Sequence, residues 1–366
     1  MEIIVGIIAF FVLLTSIIAI HELGHLIVAK KCGVYCYEYS IGMGKCIWKH
    51  TGKPNPEDRK TWADKLWKET DFCIRLLPIG GYVQMAGEED AEERDVPQAK
   101  GKYLTEKGVW KQTAIMLAGI AMNFILAGAS FLVFNLTTPQ IVVKEAKPVI
   151  QEVVQGTPAQ QAGLQVGDSI IRLKQGSEEV KVSTQYDVVK FIQVFHDNVE
   201  VTYVRDGKEY TTTVKPHKTK DGYILGYYAQ AGTYSDANVG DRISKSFDDF
   251  TDTTKDMMDS VGYLAKGQGY DSVSGPIGIA KVVIDSVVQQ PSMFWYLLAV
   301  ISMNVGIFNL LPIPALDGGR VVLLWIDKMF KGRFSKKVAS GLIAVSFIAL
   351  MVLTVVILGK DILGLL

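Results

Sequence analysis

The chain contains the stretch Ile18-Ile-Ala-His21-Glu22-Leu-Gly-His25-Leu-Ile-Val28, an H-E-x-x-H motif set in an apolar run that begins at Ile3. On a helix, His21 and His25 are one turn apart and project from the same face, so their imidazoles can bind one zinc ion. Glu22 is then placed to take a proton from a water molecule on that zinc. Two histidines and a glutamate at the end of a lipid-length apolar helix are costly there, which indicates a functional site. The alternative is a pair of histidines that only pack and form hydrogen bonds between helices.

The composition points to a membrane. The 366 residues are 49% hydrophobic and carry a formal net charge of zero. This neutral balance gives no indication of a nucleic-acid partner, and the apolar residues are concentrated in a few blocks. The cysteines all lie between the first two apolar blocks and, in a cytosolic region, are expected to be reduced thiols. They are Cys32, Cys36, Cys46 and Cys73.

Four segments are long enough to cross a bilayer, which takes about 20 mostly apolar residues. They run approximately over 3–28, 113–136, 294–311 and 338–358. We interpret the first as a retained helix rather than a signal peptide, because no basic residue precedes its apolar core and the H-E-x-x-H motif lies within it. The predicted fold is a polytopic α-helical membrane protein with about four transmembrane helices, in segments 1–31, 113–137, 291–320 and 321–366. Asn123 in the second span is interpreted mainly as a helix-packing residue.

Basic residues predict the orientation of the spans. The short loop between the last two spans contains Lys328, Lys331, Arg333, Lys336 and Lys337, and basic short loops stay in the cytosol. The N-terminus and about residues 137–290 are therefore expected outside, and residues 30–112 in the cytosol. From Ile3 to His21 the helix rises about 27 Å within a hydrocarbon core of about 30 Å. A metal at His21 would then lie inside the membrane, near the cytosolic face.

A membrane-associated β region is predicted over residues 32–112. Phe72–Leu77, the turn-rich Pro78-Ile-Gly80-Gly81 and Tyr82–Met85 have the pattern of a hairpin over 72–85. Its apolar character is unusual for a cytosolic loop. The acidic run at 88–95 is interpreted as a solvated connection.

The segment 156–171 carries a distinctive pattern, Gly156-Thr-Pro-Ala-Gln-Gln-Ala-Gly163-Leu-Gln-Val-Gly167-Asp168-Ser-Ile-Ile. It resembles the PDZ domains of bacterial membrane and envelope proteases, and Val188–Gln193 supplies a groove helix. The resemblance predicts one inserted extracytoplasmic PDZ domain at 138–231 that binds an extended peptide tail by strand addition. The alternative is a small β-rich domain that only obstructs access. Residues 232–290 are predicted to form an amphipathic juxtamembrane segment.

The third span ends irregularly, with Asn309-Leu-Leu-Pro312-Ile-Pro314-Ala-Leu-Asp317-Gly-Gly-Arg320. Irregular backbone at membrane depth is tolerated only when it is buried in protein or lines a cavity. A catalytic zinc usually takes three protein ligands and one water. Asp317 is the one acid predicted at the depth of the histidines, so it is the expected third ligand. In the alternative, Asp317 pairs with Arg320 at an interface.

Together these motifs resemble the site-2 protease family of intramembrane zinc metalloproteases, of the bacterial regulator-of-sigma (RseP/RasP) type. The resemblance covers nearly the whole chain in family order and includes His21-Glu22-Leu-Gly-His25, the Asn309–Gly319 segment, Ser274-Gly-Pro-Ile-Gly-Ile and the single PDZ domain. It implies an enzyme of the bacterial plasma membrane with one Zn²⁺ per chain. Its substrates would be single-span membrane proteins such as anti-sigma factors or remnant signal peptides. Some members carry two PDZ domains in tandem, whereas this chain has room for one. This difference argues against a two-domain gating mechanism here.

The hairpin also resembles the re-entrant β-loop of that family. It is expected to pair with an extended substrate through Gly80, Gly81, Tyr82 and Val83, while the Asn309 amide holds the other side of the substrate. Two other classes of function remain open. A catalytically silent membrane scaffold presenting a PDZ domain would not need Glu22, and a zinc-coupled transporter would show further buried charges along a pathway.

Overall fold

The computed structural model describes residues 2–51, 69–88, 99–219, 222–270, 273–330 and 335–365. Lys331 and Arg333 of the predicted basic loop, and residues 89–95 of the acidic run, lie outside these ranges. In the described part of the chain the helices are α1 (Glu2–Lys31), α2 (Val109–Thr137), α3 (Pro158–Gln161), α4 (Gln185–Val194), α5 (Val239–Ala265), α6 (Pro276–Gln289), α7 (Met293–Leu310), α8 (Asp317–Met329) and α9 (Lys336–Leu365). The strands are β1 (Cys36–His50), β2 (Asp71–Met85), β3 (Ile141–Lys144), β4 (Lys147–Val153), β5 (Ser169–Gln175), β6 (Glu178–Lys181), β7 (Val199–Arg205), β8 (Lys208–Val214), β9 (His217–Thr219), β10 (Gly222–Ile224), β11 (Tyr227–Gln230) and β12 (Thr233–Ser235).

These elements form two compact units. The first consists of Met1–Phe134, Ser246–Thr254 and Ser274–Leu366, and the second of Asn135–Lys245 and Lys255–Val273. The predicted juxtamembrane segment at 232–290 contains the two helices α5 and α6.

Among the residues that the structure describes, four helices have the length and apolar composition needed to cross a membrane: Glu2–Lys31, Val109–Thr137, Met293–Leu310 and Lys337–Leu363. The four predicted apolar helices are therefore confirmed. Within α1, Glu2 lies in the first turn and Lys30 and Lys31 in the last, where these charges complement the helix dipole. α7 ends at Leu310, two residues before the first of the two prolines, which cannot continue a helix.

The sheet of the first unit is formed by β1 and β2, and each of these long strands contributes two segments. Residues 36–41 of β1 run antiparallel to residues 81–85 of β2, with Tyr39 opposite Val83. On their other side they lie beside residues 71–75, with Tyr39 opposite Phe72. Residues 46–50 pair with the far side of residues 71–75. The order across the sheet is therefore 81–85, 36–41, 71–75, 46–50.

The predicted hairpin over 72–85 is therefore wrong in its pairing. The two apolar stretches that flank Pro78–Gly81 do not lie opposite each other; they lie on either side of residues 36–41. Two apolar strands around a turn give the same sequence pattern whether they pair directly or admit a third strand between them. The partner is decided by the tertiary structure, which the local pattern does not contain.

Two of the four cysteines are close enough to pair, which the expectation of reduced thiols in a cytosolic region did not include. Cys46 and Cys73 form a disulfide between neighbouring segments of this sheet, with their Cα atoms 6.0 Å apart. Their proximity follows from the strand order and not from their spacing along the chain. Cys32 and Cys36 are free thiols. Burial raises the pKa of the Cys36 thiol to about 12, which makes it a poor nucleophile.

The second unit is built on a six-stranded sheet in the order β11-β4-β5-β7-β8, with β6 paired to β5. Apolar side chains of β4, β5 and β7 form its core with Val188, Phe191 and Ile192 of α4. The N-terminus of α4 is fixed by a capping box, in which the Asp187 carboxylate accepts the Thr184 N–H at 2.8 Å.

The motif at 156–171 shapes one end of this core. Asp168 is fully buried, and its two oxygens accept hydrogen bonds of 2.7 Å from the Arg205 guanidinium. Gly163 and Gly167 have φ angles of +77° and +93°, which only glycine adopts readily. The glycines and the acid of the motif therefore serve the turns that position β5.

The Ser274-Gly-Pro-Ile-Gly-Ile motif begins α6, and Asp361 near the end of α9 caps it. The backbone N–H groups of Gly275 and Gly278 donate to the Asp361 carboxylate at 3.2 and 2.9 Å. A Cβ on Gly275 would lie 2.6 Å from Asp361 Oδ2, so glycine is needed for this approach. A carboxylate at a helix N-terminus satisfies unpaired N–H groups and interacts favourably with the helix dipole.

Candidate metal centre

Three side chains meet where α1 faces the start of α8. His21 Nε2 and His25 Nε2 are 3.2 Å apart, and Asp317 Oδ2 lies 3.1 Å from the first and 3.4 Å from the second. Their possible ligand atoms all lie within 4.8 Å of one another, and no second cluster of this kind occurs in the described ranges. The structure thus brings together the three residues that the sequence singled out as zinc ligands.

The proton on His25 determines what this cluster can hold. His25 Nδ1 lies 2.8 Å from the carbonyl oxygen of Ile115, which can only accept, so Nδ1 carries the proton. In neutral His25, Nε2 therefore presents a lone pair towards Asp317 Oδ2. That oxygen is buried and has no hydrogen-bond partner among the residues described. Converging buried lone pairs are unfavourable unless a cation lies between them, and two imidazoles with one carboxylate are usual ligands of catalytic zinc. The donor set therefore fits zinc.

Two glycines place Asp317 beside the imidazoles. A Cβ on Gly318 would overlap the carbonyl group of Leu310, and one on Gly319 would overlap that of Ile313. Their absence lets the first turn of α8 rest directly on the proline-containing segment that follows α7. Asp317, the first residue of α8, is positioned by this contact.

α2 holds the imidazoles from the other side. A Cβ on Gly119 would lie 2.7 Å from His21 Cε1 and would overlap the His25 ring, so glycine is required for α2 to approach α1 here. One turn further along α2, the Asn123 amide lies 3.1 Å from His21 Nδ1. Asn123 therefore contacts a candidate zinc ligand, which its interpretation as a packing residue did not anticipate.

A cavity of about 590 Å³ opens beside the cluster. Its lining includes Glu22, Glu88, Asn309, Arg320 and residues 81–85 of the sheet. A Cβ on Gly81 would lie 3.3 Å from Glu22 Cγ, so the motif glutamate and the sheet edge are in close contact. The cavity thus contains a carboxylate for proton transfer beside the cluster.

The chain is similar to known proteins over most of its length. The model of Peptidase family M50 matches residues 9–57 and 58–353. The chain belongs to peptidase family M50. The chain is 28% identical to zinc metalloprotease RasP of Geobacillus kaustophilus, over 98% of this chain and 97% of that protein. It is 29% identical to metalloprotease MmpA of Caulobacter vibrioides, over 87% of this chain and 85% of that protein.

Membership of M50, the site-2 protease family, identifies the chain as a zinc-dependent metalloprotease. Of the three classes of function that the sequence left open, family membership supports the metalloprotease. Its four apolar helices make it a membrane protein.

The substrate-binding residues expected in this M50 chain are only partly brought together. Gly81, Tyr82, Val83 and Asn309 line the cavity. Gly80 is not among the lining residues; it has a φ of +77°, and a Cβ there would lie 2.8 Å from Met43 Cε. Gly80 therefore serves the turn. Within the described ranges, residues 81–85 pair with 36–41 and with no other segment, so they form an edge strand beside the cavity.

A network of hydrogen bonds centred on the buried Glu38 carboxylate connects this M50 edge strand to the neighbouring sheet segments. Glu38 is 4% exposed, and its Oε1 accepts hydrogen bonds from Arg75 Nη2 at 2.6 Å and from the Tyr82 hydroxyl at 2.8 Å. Arg75 Nε also donates to Ser40 Oγ at 2.6 Å. The hydrogen bond to Glu38 raises the pKa of Arg75, and burial, followed by Glu38, raises the pKa of Tyr82. The sequence gave no signal of this network, since its members are distributed over three sheet segments.

A second ion pair lies in the cavity wall. Arg320 Nη1 is 3.1 Å from Glu88 Oε1. Arg320 therefore pairs with Glu88, which follows the edge strand along the chain. Asp317 faces the two imidazoles instead. This arrangement differs from the alternative in which Asp317 pairs with Arg320. Burial raises the pKa of Glu88. The interpretation of the acidic run as solvated is wrong for Glu88, whose side chain is 24% exposed.

Proposed function

We propose that this M50 metalloprotease hydrolyses peptide bonds within the transmembrane segments of single-span membrane proteins, such as anti-sigma factors or remnant signal peptides, in regulated intramembrane proteolysis. One observation carries the proposal. Two of the three candidate metal ligands, His21 and His25, lie on α1, a helix long and apolar enough to span a membrane, and the cluster shares its cavity with an open β-strand edge. A protease that acts on helical segments needs both a site at membrane depth and a surface that holds the opened backbone.

In this proposal His21, His25 and Asp317 hold the zinc. When bound, zinc lowers the pKa of a water molecule and polarises the scissile carbonyl group. Glu22, which lines the same cavity, removes a proton from the attacking water and passes it to the leaving amine. The surrounding apolar helices restrict bulk water, and the polar cavity wall admits the water that hydrolysis consumes.

The substrate would lie along residues 81–85 as an added strand. A transmembrane helix hides its peptide groups in its own hydrogen bonds, and the edge strand offers replacement partners. Asn309 lines the same cavity, and its amide can both donate and accept hydrogen bonds on the other side of the substrate.

The second unit would be a PDZ domain that lies outside the cell and limits which substrates enter. Its antiparallel sheet, the helix α4 and the edge strand β11 support this assignment. The basic residues between the last two spans support an orientation with the metal site near the cytosolic face and both chain ends outside. The domain would bind a peptide tail along β11 or act by size alone.

Purified protein in proteoliposomes tests the activity. A single-span substrate with a soluble tag at each end is incubated with wild-type protein and with Glu22→Gln, and the products are mapped by mass spectrometry. The expected cut lies inside the substrate's apolar segment and is absent with Glu22→Gln. Cuts confined to the soluble tags contradict the proposal.

A further inference from the structure

We propose that Asn123 is a positioning residue that fixes the tautomer of His21, so that His21 Nε2 presents its lone pair to the zinc. This inference rests on the proposed ligand set of His21, His25 and Asp317. It concerns a residue outside that set.

The two histidines need the same arrangement of protons. Both direct Nε2 towards Asp317 Oδ2, at 3.1 Å from His21 and 3.4 Å from His25. A histidine that binds metal through Nε2 keeps its proton on Nδ1 and donates it to a nearby acceptor. For His25 the acceptor is the carbonyl oxygen of Ile115, at 2.8 Å. For His21, the group at hydrogen-bond distance from Nδ1 is the side-chain amide of Asn123, at 3.1 Å.

The Asn123 amide has two possible orientations, and they select opposite tautomers. The structure places Nδ2 at 3.1 Å from His21 Nδ1, and in this orientation the amide donates to Nδ1 and the imidazole proton is forced onto Nε2. Asn123 Oδ1 is then a buried oxygen with no hydrogen-bond partner among the described residues. A half-turn about the Cβ–Cγ bond exchanges the two atoms, and Oδ1 then accepts the proton of His21 Nδ1. In this second orientation Oδ1 is paired and Nδ2 takes its former place. The choice between the two orientations therefore rests on the metal, because only the second leaves the Nε2 lone pair of His21 available.

Asn123 is held firmly enough to perform this role. It is fully buried, and its backbone carbonyl accepts a hydrogen bond of 2.9 Å from Ser302 of α7. A Cβ on Gly306, one turn further along α7, would lie 3.4 Å from Asn123 Cβ, so the two helices are in close contact here. A ligand-orienting group on rigid helices gives a metal site its precision.

Variants at Asn123 separate this role from simple packing. Leu has the same branched shape and number of side-chain heavy atoms as Asn but neither accepts nor donates a hydrogen bond. Asp, when ionised, can accept but cannot donate, so it supports only the tautomer that we propose. Ser130→Ala is the matched control, because Ser130 is buried on the same helix and its Oγ has no hydrogen-bond partner in the described part of the chain.

The readout is zinc affinity, measured by chelator competition on the purified protein in detergent. Asn123→Leu is expected to weaken zinc binding about 10- to 100-fold, the usual effect of losing a partner behind a ligand. Asn123→Asp should stay within about threefold of wild type on the same basis, and Ser130→Ala should not change affinity. Added free zinc should restore part of the activity of Asn123→Leu.

Three results overturn the inference: an unchanged affinity in Asn123→Leu, an Asn123→Asp protein as weak as Asn123→Leu, or an equal loss in Ser130→Ala. If the Asn123→Asp protein cannot be purified, the zinc affinity of Asn123→Leu alone decides whether Asn123 has this role. Failure of the proposed ligand set is distinguishable, because in that case His25→Ala and Asp317→Ala themselves keep full zinc affinity.

Discussion

The hydroxyl of Tyr39 donates a hydrogen bond of 2.7 Å to the backbone carbonyl of Ala19, two residues before His21. Tyr39 lies on the segment of β1 that pairs with the edge strand, and Ala19 lies on α1. This single contact ties the proposed substrate-binding sheet to the helix that carries the H-E-x-x-H motif. The distance between the sheet edge and Glu22 is therefore set partly by Tyr39.

Tyr39→Phe is expected to reduce cleavage several-fold while leaving zinc content at one per chain. The ring still packs, but the lost hydrogen bond, worth about 1 kcal/mol, no longer fixes the sheet against α1. Activity and bound zinc are measured on the same preparation. Tyr210→Phe, an exposed tyrosine of the second unit, serves as the control. A Tyr39→Phe enzyme with wild-type activity removes this role.

Variants of the metal centre should fall into two groups, because the zinc ligands and the proposed base have different roles. Glu22→Gln should lower the cleavage rate by about 10² to 10⁴-fold and keep its zinc, because a glutamine cannot accept the proton. His21→Ala and Asp317→Ala should lower zinc content together with activity, since each removes a ligand. Metal analysis of the purified variants distinguishes the two groups. Full zinc content in Asp317→Ala would remove Asp317 from the ligand set.

The edge strand predicts that proline acts differently at two adjacent positions. The N–H groups of Val83 and Gln84 point to opposite sides of a strand, so one faces residues 36–41 and the other the cavity. Val83→Pro and Gln84→Pro each delete one N–H group. The variant that loses the cavity-facing group should cleave a stable helical substrate at least about tenfold more slowly than a substrate loosened by Gly or Pro, without losing thermal stability.

Asn309→Ala should show the same preference for the loosened substrate, because it removes the partner on the substrate's other side. Zinc content is the control for all three proteins. Equal losses on the stable and the loosened substrate would show that these residues only pack, and the role in opening the substrate helix would have to be given up.

The ion pair in the cavity wall predicts rescue by charge exchange. Glu88→Arg and Arg320→Glu should each reduce activity, because each leaves two like charges facing each other in a partly buried site. The double variant restores the attraction and should recover a substantial part of the activity, with a coupling of about 1 to 3 kcal/mol between the two changes. Cleavage rates of the four proteins complete the cycle. Additive losses of activity would mean that the Glu88–Arg320 pair does not couple the end of the edge strand to α8.

The cap on α6 predicts a loss of stability without a change at the zinc site. Asp361→Leu removes both acceptors for Gly275 and Gly278 and should destabilise the protein by about 1 to 2 kcal/mol. Asp361→Asn, which keeps an acceptor oxygen, should lose less. Thermal unfolding of the detergent-solubilised protein measures both. Unchanged unfolding in Asp361→Leu would show that the contact contributes nothing.

Much of the framework could be predicted from local patterns. The spans follow from apolar length alone, and Asp317 could be matched to the histidines because few acids occur at membrane depth. The strand order could not be predicted, because Phe72 and Val83 belong to stretches that look like direct partners until residues 36–41 are placed between them. Asn123 and Glu88 were missed for a related reason. A polar residue in a span, or at the start of an acidic run, has many permitted partners, and packing chooses among them.

The cap between α9 and α6 has a consequence for the biosynthesis of the enzyme. Asp361 follows Gly278 by 83 residues along the chain and is therefore synthesised after α6. Until it arrives, the N-terminus of α6 is uncapped, and α6 is the helix whose Ile284 lies against Gly6 of α1. The support that α6 gives to the helix carrying the two histidines is therefore completed only after α9 has been synthesised.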